Sequence, residues 1–257
     1  MPPRGRHTTL ARKDESYTAL SDRPLHVLVF LLPLIALYEI GLVFFLSSPD
    51  GTFRETILAH NTLSRFFQTF GPGSLYLPGI ALIVVLVLWH LIRRDRWSVR
   101  PSVLFGMAAE SVLWMFPLLV FGLIMSMEAA LATTGGSGDS WQAKATLSIG
   151  AGLYEELLFR LLMLTALHAI LHDVLGMKDQ PAAALAVVGS AVAFCVYHGV
   201  SPLDAAQLPR TIFYTVAGLY FGVVFLLRGF GIVVATHAFY DLMVLVVVPV
   251  LKGRSAG

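Results

Sequence analysis

The stretch GLYEELLFRLLML, residues 152–164, places three ionisable side chains in a run of leucine, phenylalanine, tyrosine and methionine. These side chains belong to Glu155, Glu156 and Arg160. A charge at the middle of a bilayer costs about 2.5–3.5 kcal/mol even on a lenient insertion scale, so such residues usually face a partner or a cavity. The stretch therefore predicts a polar site buried inside an apolar helix.

Helical spacing separates the two adjacent glutamates. Glu156 and Arg160 are four residues apart and share a helix face, so they are expected to form an ion pair. Glu155 is rotated by about 100° from Glu156 around the helix axis and is left without that partner. Glu155 is therefore the better candidate for chemistry.

The composition of the whole chain indicates that lipid is its solvent. Its 257 residues are 56% hydrophobic and 13% charged, whereas an average soluble domain carries roughly 25% charged residues. So few charges do not cover a water-facing surface of this size, and membrane integration accounts for the deficit. The net charge of +2 is too small to indicate a nucleic-acid partner. The single cysteine, Cys195, excludes an internal disulfide and a thiolate metal cluster.

Long apolar runs divide the chain into candidate spans. A helix needs about 20 predominantly apolar residues to cross the hydrocarbon core. Seven runs qualify, at 25–47, 75–92, 110–131, 146–172, 181–200, 209–227 and 231–251. The amphipathic segment 54–70 predicts an interfacial or re-entrant helix, and it adds an eighth span if it crosses. The predicted fold class is an all-α polytopic transmembrane helical bundle with seven or eight spans.

The spans are predicted to form a single domain. Residues 25–251 make one membrane-embedded domain, and the segment 146–245 carries its motifs. A basic tail, 1–24, precedes the domain, and a short tail, 252–257, follows it. No internal repeat or long linker divides the chain.

The distribution of lysine and arginine predicts the orientation. The tail 1–24 and the loop 93–109 are richer in these residues than the loops 48–74 and 132–145. Positive charges concentrate on the cytoplasmic side of membrane proteins, so the N-terminus is expected in the cytoplasm. This predicts a multi-pass protein of the cell (inner) membrane, with the C-terminus outside if there are seven spans.

Two further polar motifs follow the opening stretch. FCVYH ends at His198, and HAFYD runs from His237 to Asp241. His237 and Asp241 share a helix face, and a carboxylate so placed can accept the imidazole N–H, fix its tautomer and raise its basicity. If they converge with Glu155 on one cavity, these groups suit water activation by a general base with imidazole assistance.

Taken together, EELLFR, FCVYH and HAFYD resemble, in order, the EExxxR, FxxxH and HxxxN/D motifs of the CAAX protease and bacteriocin-processing family. Its members are intramembrane endopeptidases related to the Ras-converting CAAX endopeptidase, and the bacterial ones are often called the ABI family. The resemblance covers roughly residues 150–245. The first 140 residues are similar to the family in hydrophobicity alone.

The resemblance implies catalytic roles for six residues. They are Glu155 as the base, Glu156 and Arg160 as its support, His198 in water activation, and His237 with Asp241 at the oxyanion or the water. This chain has Asp241 where the prenyl-processing members have asparagine. An ionised aspartate cannot donate a hydrogen bond to an oxyanion, so we assign Asp241 to orienting His237 or to a metal. That difference weakens the inference to a prenylated substrate.

The sequence leaves the presence of a metal open. Glu155, His198, His237 and Asp241 form a donor set that suits zinc with one open position. The pattern is not HExxH, in which two histidines lie one turn apart on a single helix. A metal-free glutamate mechanism is favoured, zinc is the alternative, and no other cofactor is indicated.

These patterns predict an intramembrane endopeptidase that uses glutamate-activated water. It would cut a peptide bond near the C-terminus or in the leader of a membrane-associated substrate. Its expected partners are a membrane-anchored peptide or protein and the lipid bilayer. Two alternatives remain: a non-catalytic membrane scaffold or immunity protein on the same fold, and a proton-coupled transporter that uses the acids as a relay. The sequence shows no paired halves with broken spans, which transporters often have.

Overall fold

The computed structural model describes residues 16–46, 77–125, 140–200 and 205–254. Every regular element in these ranges is helical. In chain order they are α1 Tyr17–Ser21, α2 Pro24–Phe45, α3 Leu77–Arg93, α4 Pro101–Ile124, α5 Trp141–Val174, α6 Asp179–Tyr197, a single 3₁₀ turn Ala205–Gln207, and α7 Leu208–Leu251. The helical conformation at the end of α7 continues to Arg254. The all-α prediction is confirmed for the described residues.

Five of these helices are long and apolar enough to cross a membrane, namely α2, α4, α5, α6 and α7. The apolar helix α3 is shorter, at 17 residues. The predicted count of seven or eight spans therefore stays a prediction. The segment 54–70 lies outside the described residues.

Several predicted boundaries differ from the structure by a few residues, and two of the differences have a clear local cause. α4 begins at Pro101 rather than at 110, because Arg100 is extended and the proline that follows starts the helix. The predicted tail 1–24 contains α1, whose first turn is capped by the Ser16 side chain. The polar character of that segment hid a short helix that packs on the bundle.

The helix α7 is folded back on itself at Gly229. Phe221 stacks on His237 with ring centroids 4.6 Å apart, whereas residues sixteen apart in a straight helix would be separated by about 24 Å. The segments 208–228 and 230–251 therefore run antiparallel as two arms. These are the segments that the sequence predicts as separate spans.

Glycine is required at this turn for two reasons. Gly229 has φ 79°, a conformation that side chains rarely adopt. A Cβ at Gly229 would also lie 2.4 Å from Oδ1 of Asp22. The loop between α1 and α2 thus packs directly against the hairpin turn.

The second arm of α7 is the central helix of the bundle. It is buried all round from Phe230 to Ala238, as expected for a helix surrounded by others. As a whole α7 packs against α4, α5 and α6, and α2 packs against α3 and α5. The outer faces carry exposed apolar side chains, including Phe44, Phe105 and Ile124. Such a perimeter is unusual in a soluble monomer and is typical of contact with lipid.

A polar clamp at the hairpin turn fixes α1 and α4 to α7. The Glu110 carboxylate accepts hydrogen bonds from Nε and Nη2 of Arg228. It also accepts from the Tyr17 hydroxyl at 2.6 Å and from the Trp114 indole N–H at 3.1 Å. Arg228 Nη2 also donates to Oγ of Ser21 at 3.3 Å. Burial and the bond to Glu110 raise the pKa of Tyr17, so its hydroxyl stays protonated and donates. Glu110, an acid outside every motif, is therefore structural.

We predict that Arg228→Met destabilises the fold by about 1.5–3 kcal/mol, because it leaves the half-buried Glu110 carboxylate without its cation. Denaturant unfolding in detergent micelles measures this change. The double variant Glu110→Gln/Arg228→Met should lose clearly less than Arg228→Met alone, since both charges are then gone. Equal losses in the two variants would contradict the clamp.

Candidate active site

The opening stretch lies in α5 and is wound mainly as a π-helix. Residues Ala151–Glu155 and Leu157–Leu164 form hydrogen bonds of the wider i→i+5 type. Such turns are rare and occur frequently at functional sites. The side chains of Glu156 and Arg160 are fully buried, and Glu155 is nearly so.

The predicted ion pair between Glu156 and Arg160 is present. Oε1 of Glu156 lies 3.1 Å from Nη1 of Arg160. Nη2 of Arg160 donates to the Gly218 carbonyl on the first arm of α7 at 3.2 Å. The guanidinium also lies over the rings of Phe194 and Phe221, at 4.5 and 5.4 Å from their centroids. One cation therefore ties α5 to α6 and α7.

The same carboxylate oxygen also binds His237. Nδ1 of His237 is 2.7 Å from Oε1 of Glu156. The carboxylate is paired with Arg160 and acts as an acceptor, so Nδ1 must carry the proton. Phe221 stacks on the imidazole with an interplanar angle of 18°. Nε2 of His237 is thereby directed away from Glu156.

His198 is oriented by its own helix and by one aromatic ring. Its Nδ1 is 2.8 Å from the carbonyl oxygen of Phe194. A carbonyl can accept but not donate, so Nδ1 holds the proton and Nε2 is left available. Tyr214 stacks on the imidazole with centroids 4.0 Å apart. The four-residue spacing of Phe194 and His198 therefore lets the imidazole bond the backbone carbonyl of Phe194.

Glu155 faces both available imidazole nitrogens. Its Oε2 is 3.7 Å from Nε2 of His198 and 4.0 Å from Nε2 of His237. Oδ2 of Asp241 is 3.5 Å from the same nitrogen of His237. Separations of this size are too long for good direct hydrogen bonds and suit an intervening water. The four residues that the sequence expects in one cavity are therefore brought together.

His198 lies beside Glu155 although it stands at the end of its own helix. His198 follows the last residue of α6, while Glu155 lies well inside α5. Straight spans of equal length would place the two residues at different depths. α5 is 34 residues long and α6 is 19, so helix ends on the same side of the bundle need not coincide.

A glycine permits the close approach of α5 to α7. A Cβ at Gly152 would lie 2.6 Å from the carbonyl oxygen of Val234 and 2.8 Å from Cβ of Ala238. Close packing here brings Glu155 and Glu156, one turn further along α5, up to His237. A side chain at this position would not fit between the two helices.

The donor set can be compared with the needs of zinc. Two imidazole nitrogens and two carboxylates are suitable ligands by type. In the described residues no group of three or more His, Cys, Asp or Glu side chains is arranged to hold a metal ion. We therefore derive no catalytic step through a metal.

Residues 138–243 match the family model described as Rce1-like, type II CAAX prenyl endopeptidase. This segment belongs to the CAAX protease family. All six residues of the site lie within it, so the match confirms the family resemblance of the three motifs. It covers less than half of the chain. No curated protein and no solved structure matches the sequence.

Three residues of the candidate site have no signal in the sequence motifs. Tyr214 and Phe221 stack on the two histidines, and Gly218 supplies the carbonyl that accepts from Arg160. All three lie on the first arm of α7, spaced four and three residues apart, as one helix face requires. An aromatic stripe at this spacing looks the same as ordinary core packing, so the sequence carries little signal for it.

The two glutamates should differ in what they do for the fold. We predict that Glu156→Gln costs about 3–5 kcal/mol of stability, because it strands the fully buried Arg160. Glu155→Gln should change stability by less than about 1 kcal/mol, since Glu155 has no close ion pair to lose. Thermal unfolding of both variants in micelles tests this contrast. A more severe loss in Glu155→Gln would reverse the assignment.

Proposed function

We propose that this chain is an intramembrane endopeptidase that cleaves a membrane-associated peptide or protein with a water activated by Glu155. The observation that carries the proposal is the position of the Glu155 carboxylate. It is buried, it lacks a close hydrogen bond to a described side chain, and it faces Nε2 of both His198 and His237. The family match to a CAAX prenyl endopeptidase supports proteolysis as the chemistry.

The proton transfers can be assigned from the geometry. A water between Glu155 and His198 would donate one hydrogen to Oε2 and one to Nε2. Attack of its oxygen on the scissile carbonyl passes a proton to Glu155, and Glu155 then delivers that proton to the departing amine. The same carboxyl therefore acts first as general base and then as general acid.

His237 is suited to stabilise the oxyanion. Its Nδ1–H is held by Glu156, and Asp241 lies near Nε2. Carboxylates at both ends of the ring favour the doubly protonated form, whose Nε2–H can donate to a developing negative charge. Asp241 then acts through its effect on His237 and has no need to donate a hydrogen bond itself.

The substrate is proposed to be held by lipid or by a membrane anchor. The apolar outer surface of the bundle supports a substrate that reaches the buried site from the membrane. The bond that is cut would lie near the C-terminus or in the leader of that substrate. We also propose that the protein lies in the cell (inner) membrane with its N-terminus in the cytoplasm. We propose that Glu155 activates the water without a metal ion.

The central test is cleavage by Glu155→Gln. We expect it to abolish hydrolysis of a membrane-anchored peptide library reconstituted with the protein, a loss of at least about 10²-fold, because the amide cannot accept the proton of water. Mass spectrometry of the products measures cleavage. Glu39→Gln is the matched control, because the Glu39 carboxylate accepts from Tyr154 and from none of the six site residues, so its variant should stay active.

Each outcome of this comparison selects one function. Full activity in Glu155→Gln would sink the glutamate mechanism. Absence of cleavage by the wild-type protein across the library would favour the non-catalytic scaffold. Proton flux that accompanies solute uptake in vesicles would favour the transporter.

Asp241 provides a second test. We expect Asp241→Asn to lower kcat by about 10-fold and Asp241→Ala by about 100-fold, since the amide oxygen can still accept through an intervening water on the side of Nε2 of His237. Steady-state cleavage rates measure both, and KM should change little. Equal losses in the two variants would contradict a role through His237.

A further inference from the structure

The loop that joins α3 to α4 is rich in arginine. We call residues 93–100 the arginine loop; its cations are Arg93, Arg94, Arg96 and Arg100. It lies at the end of the bundle that holds the α7 turn, since Arg93 pairs with Asp22 beside Gly229. This is the opposite end of α4 from Ile124. None of its residues belongs to the catalytic site.

The acids at this end are used by two of the arginines. Nε of Arg93 lies 3.2 Å from Asp95 and its Nη1 lies 3.6 Å from Asp22. Nε of Arg23 lies 3.9 Å from Asp95. These pairs hold the loop against the start of α2.

The remaining three arginines of the loop form no ion pair with any residue that the structure describes. Arg94 and Arg96 are exposed, and Arg100 is half-buried. Arg94 also adopts φ 53°, a conformation that a residue with a side chain rarely takes. The loop therefore presents three guanidinium groups that no acid in the described part of the chain neutralises.

An aromatic residue and a buried histidine lie among these cations. Trp97 is 66% exposed, and its ring meets the His90 imidazole edge-on with centroids 4.3 Å apart. His90 is 1% exposed, and neither of its ring nitrogens has a hydrogen-bond partner among the described residues. A buried N–H without an acceptor is uncommon and calls for a missing partner. A ligand with a hydrogen-bond acceptor that entered beneath the Trp97 ring would supply the missing partner of His90.

We propose that the arginine loop binds the phosphate headgroup of an anionic phospholipid. Guanidinium groups match phosphate oxygens in shape and charge. Tryptophan is enriched at the level of the lipid headgroups. A lipid is chosen over a free phosphate ion because large apolar side chains flank the loop on both helices. Ile92 on α3 is 79% exposed and Phe105 on α4 is 76% exposed, which gives acyl chains a surface beside the cations.

The test measures how brominated lipids quench the fluorescence of Trp97 in vesicles that contain the full chain. The Trp97 signal is the difference between the wild-type protein and Trp97→Phe. Brominated phosphatidylglycerol should quench it at a lower mole fraction than brominated phosphatidylcholine. Each arginine near an anionic surface strengthens binding by about fivefold. Arg94→Gln/Arg96→Gln should therefore reduce the preference by about 25-fold.

Two controls separate this site from general charge effects. Arg94→Lys/Arg96→Lys keeps the charge and should retain part of the preference, whereas Lys178→Gln removes an exposed cation outside the loop and should leave it unchanged. Arg94 and Arg96 have no ion pair with the described residues to lose, so the fold should be intact by circular dichroism. Proteolysis is not the readout, so the outcome does not depend on the proposed function.

Three results would overturn the proposal. The first is equal quenching by the two brominated lipids. The second is an undiminished preference for phosphatidylglycerol in Arg94→Gln/Arg96→Gln. The third is a loss of that preference in Lys178→Gln as large as the loss in Arg94→Gln/Arg96→Gln. Inorganic phosphate is added against sodium chloride of equal ionic strength. If phosphate alone abolishes the preference, the ligand is the free ion and the lipid proposal is wrong.

Discussion

The arrangement of the site depends on one carboxylate oxygen, Oε1 of Glu156. It is the partner of both Arg160 and His237, and it is sealed from solvent. Neither cation nor imidazole could remain at this depth without it, because an uncompensated buried charge costs several kcal/mol. Through Arg160 it reaches the Gly218 carbonyl on the first arm of α7, and through His237 it reaches the second arm. The relative positions of α5 and the α7 hairpin are thus set by this contact.

Glu155 is useful because it does not share that contact. The fixed helix brings its carboxylate to face the two imidazoles at 3.7 and 4.0 Å, where a reacting water can be held. A residue that stabilises the fold uses up its hydrogen bonds, and a residue that reacts must keep some free. Two adjacent glutamates meet these opposite needs because successive side chains of a helix point in different directions.

Much of this division could be predicted from the sequence. Four-residue spacing predicted the pairing of Glu156 with Arg160, and the three motifs predicted the set around Glu155. The π-helical winding of α5 could not be predicted, because it depends on contacts with other helices. The clamp at Glu110 was also out of reach. The donors to Glu110 come from α1, α4 and α7. A contact between segments that are far apart in the sequence leaves no periodic pattern in any one segment. Stacking by Tyr214 and Phe221 was hidden for the same reason.

The two polar clusters show how an apolar bundle can hold charge at two depths for different purposes. At the hairpin turn Glu110 is bound by Arg228, Tyr17 and Trp114, so its acceptor capacity is spent. Because Arg228 immediately precedes Gly229, that clamp fixes where the chain reverses direction. The second arm starts there, and its first two turns place His237. The position of the imidazole that we propose to be catalytic therefore depends on a carboxylate outside the candidate site.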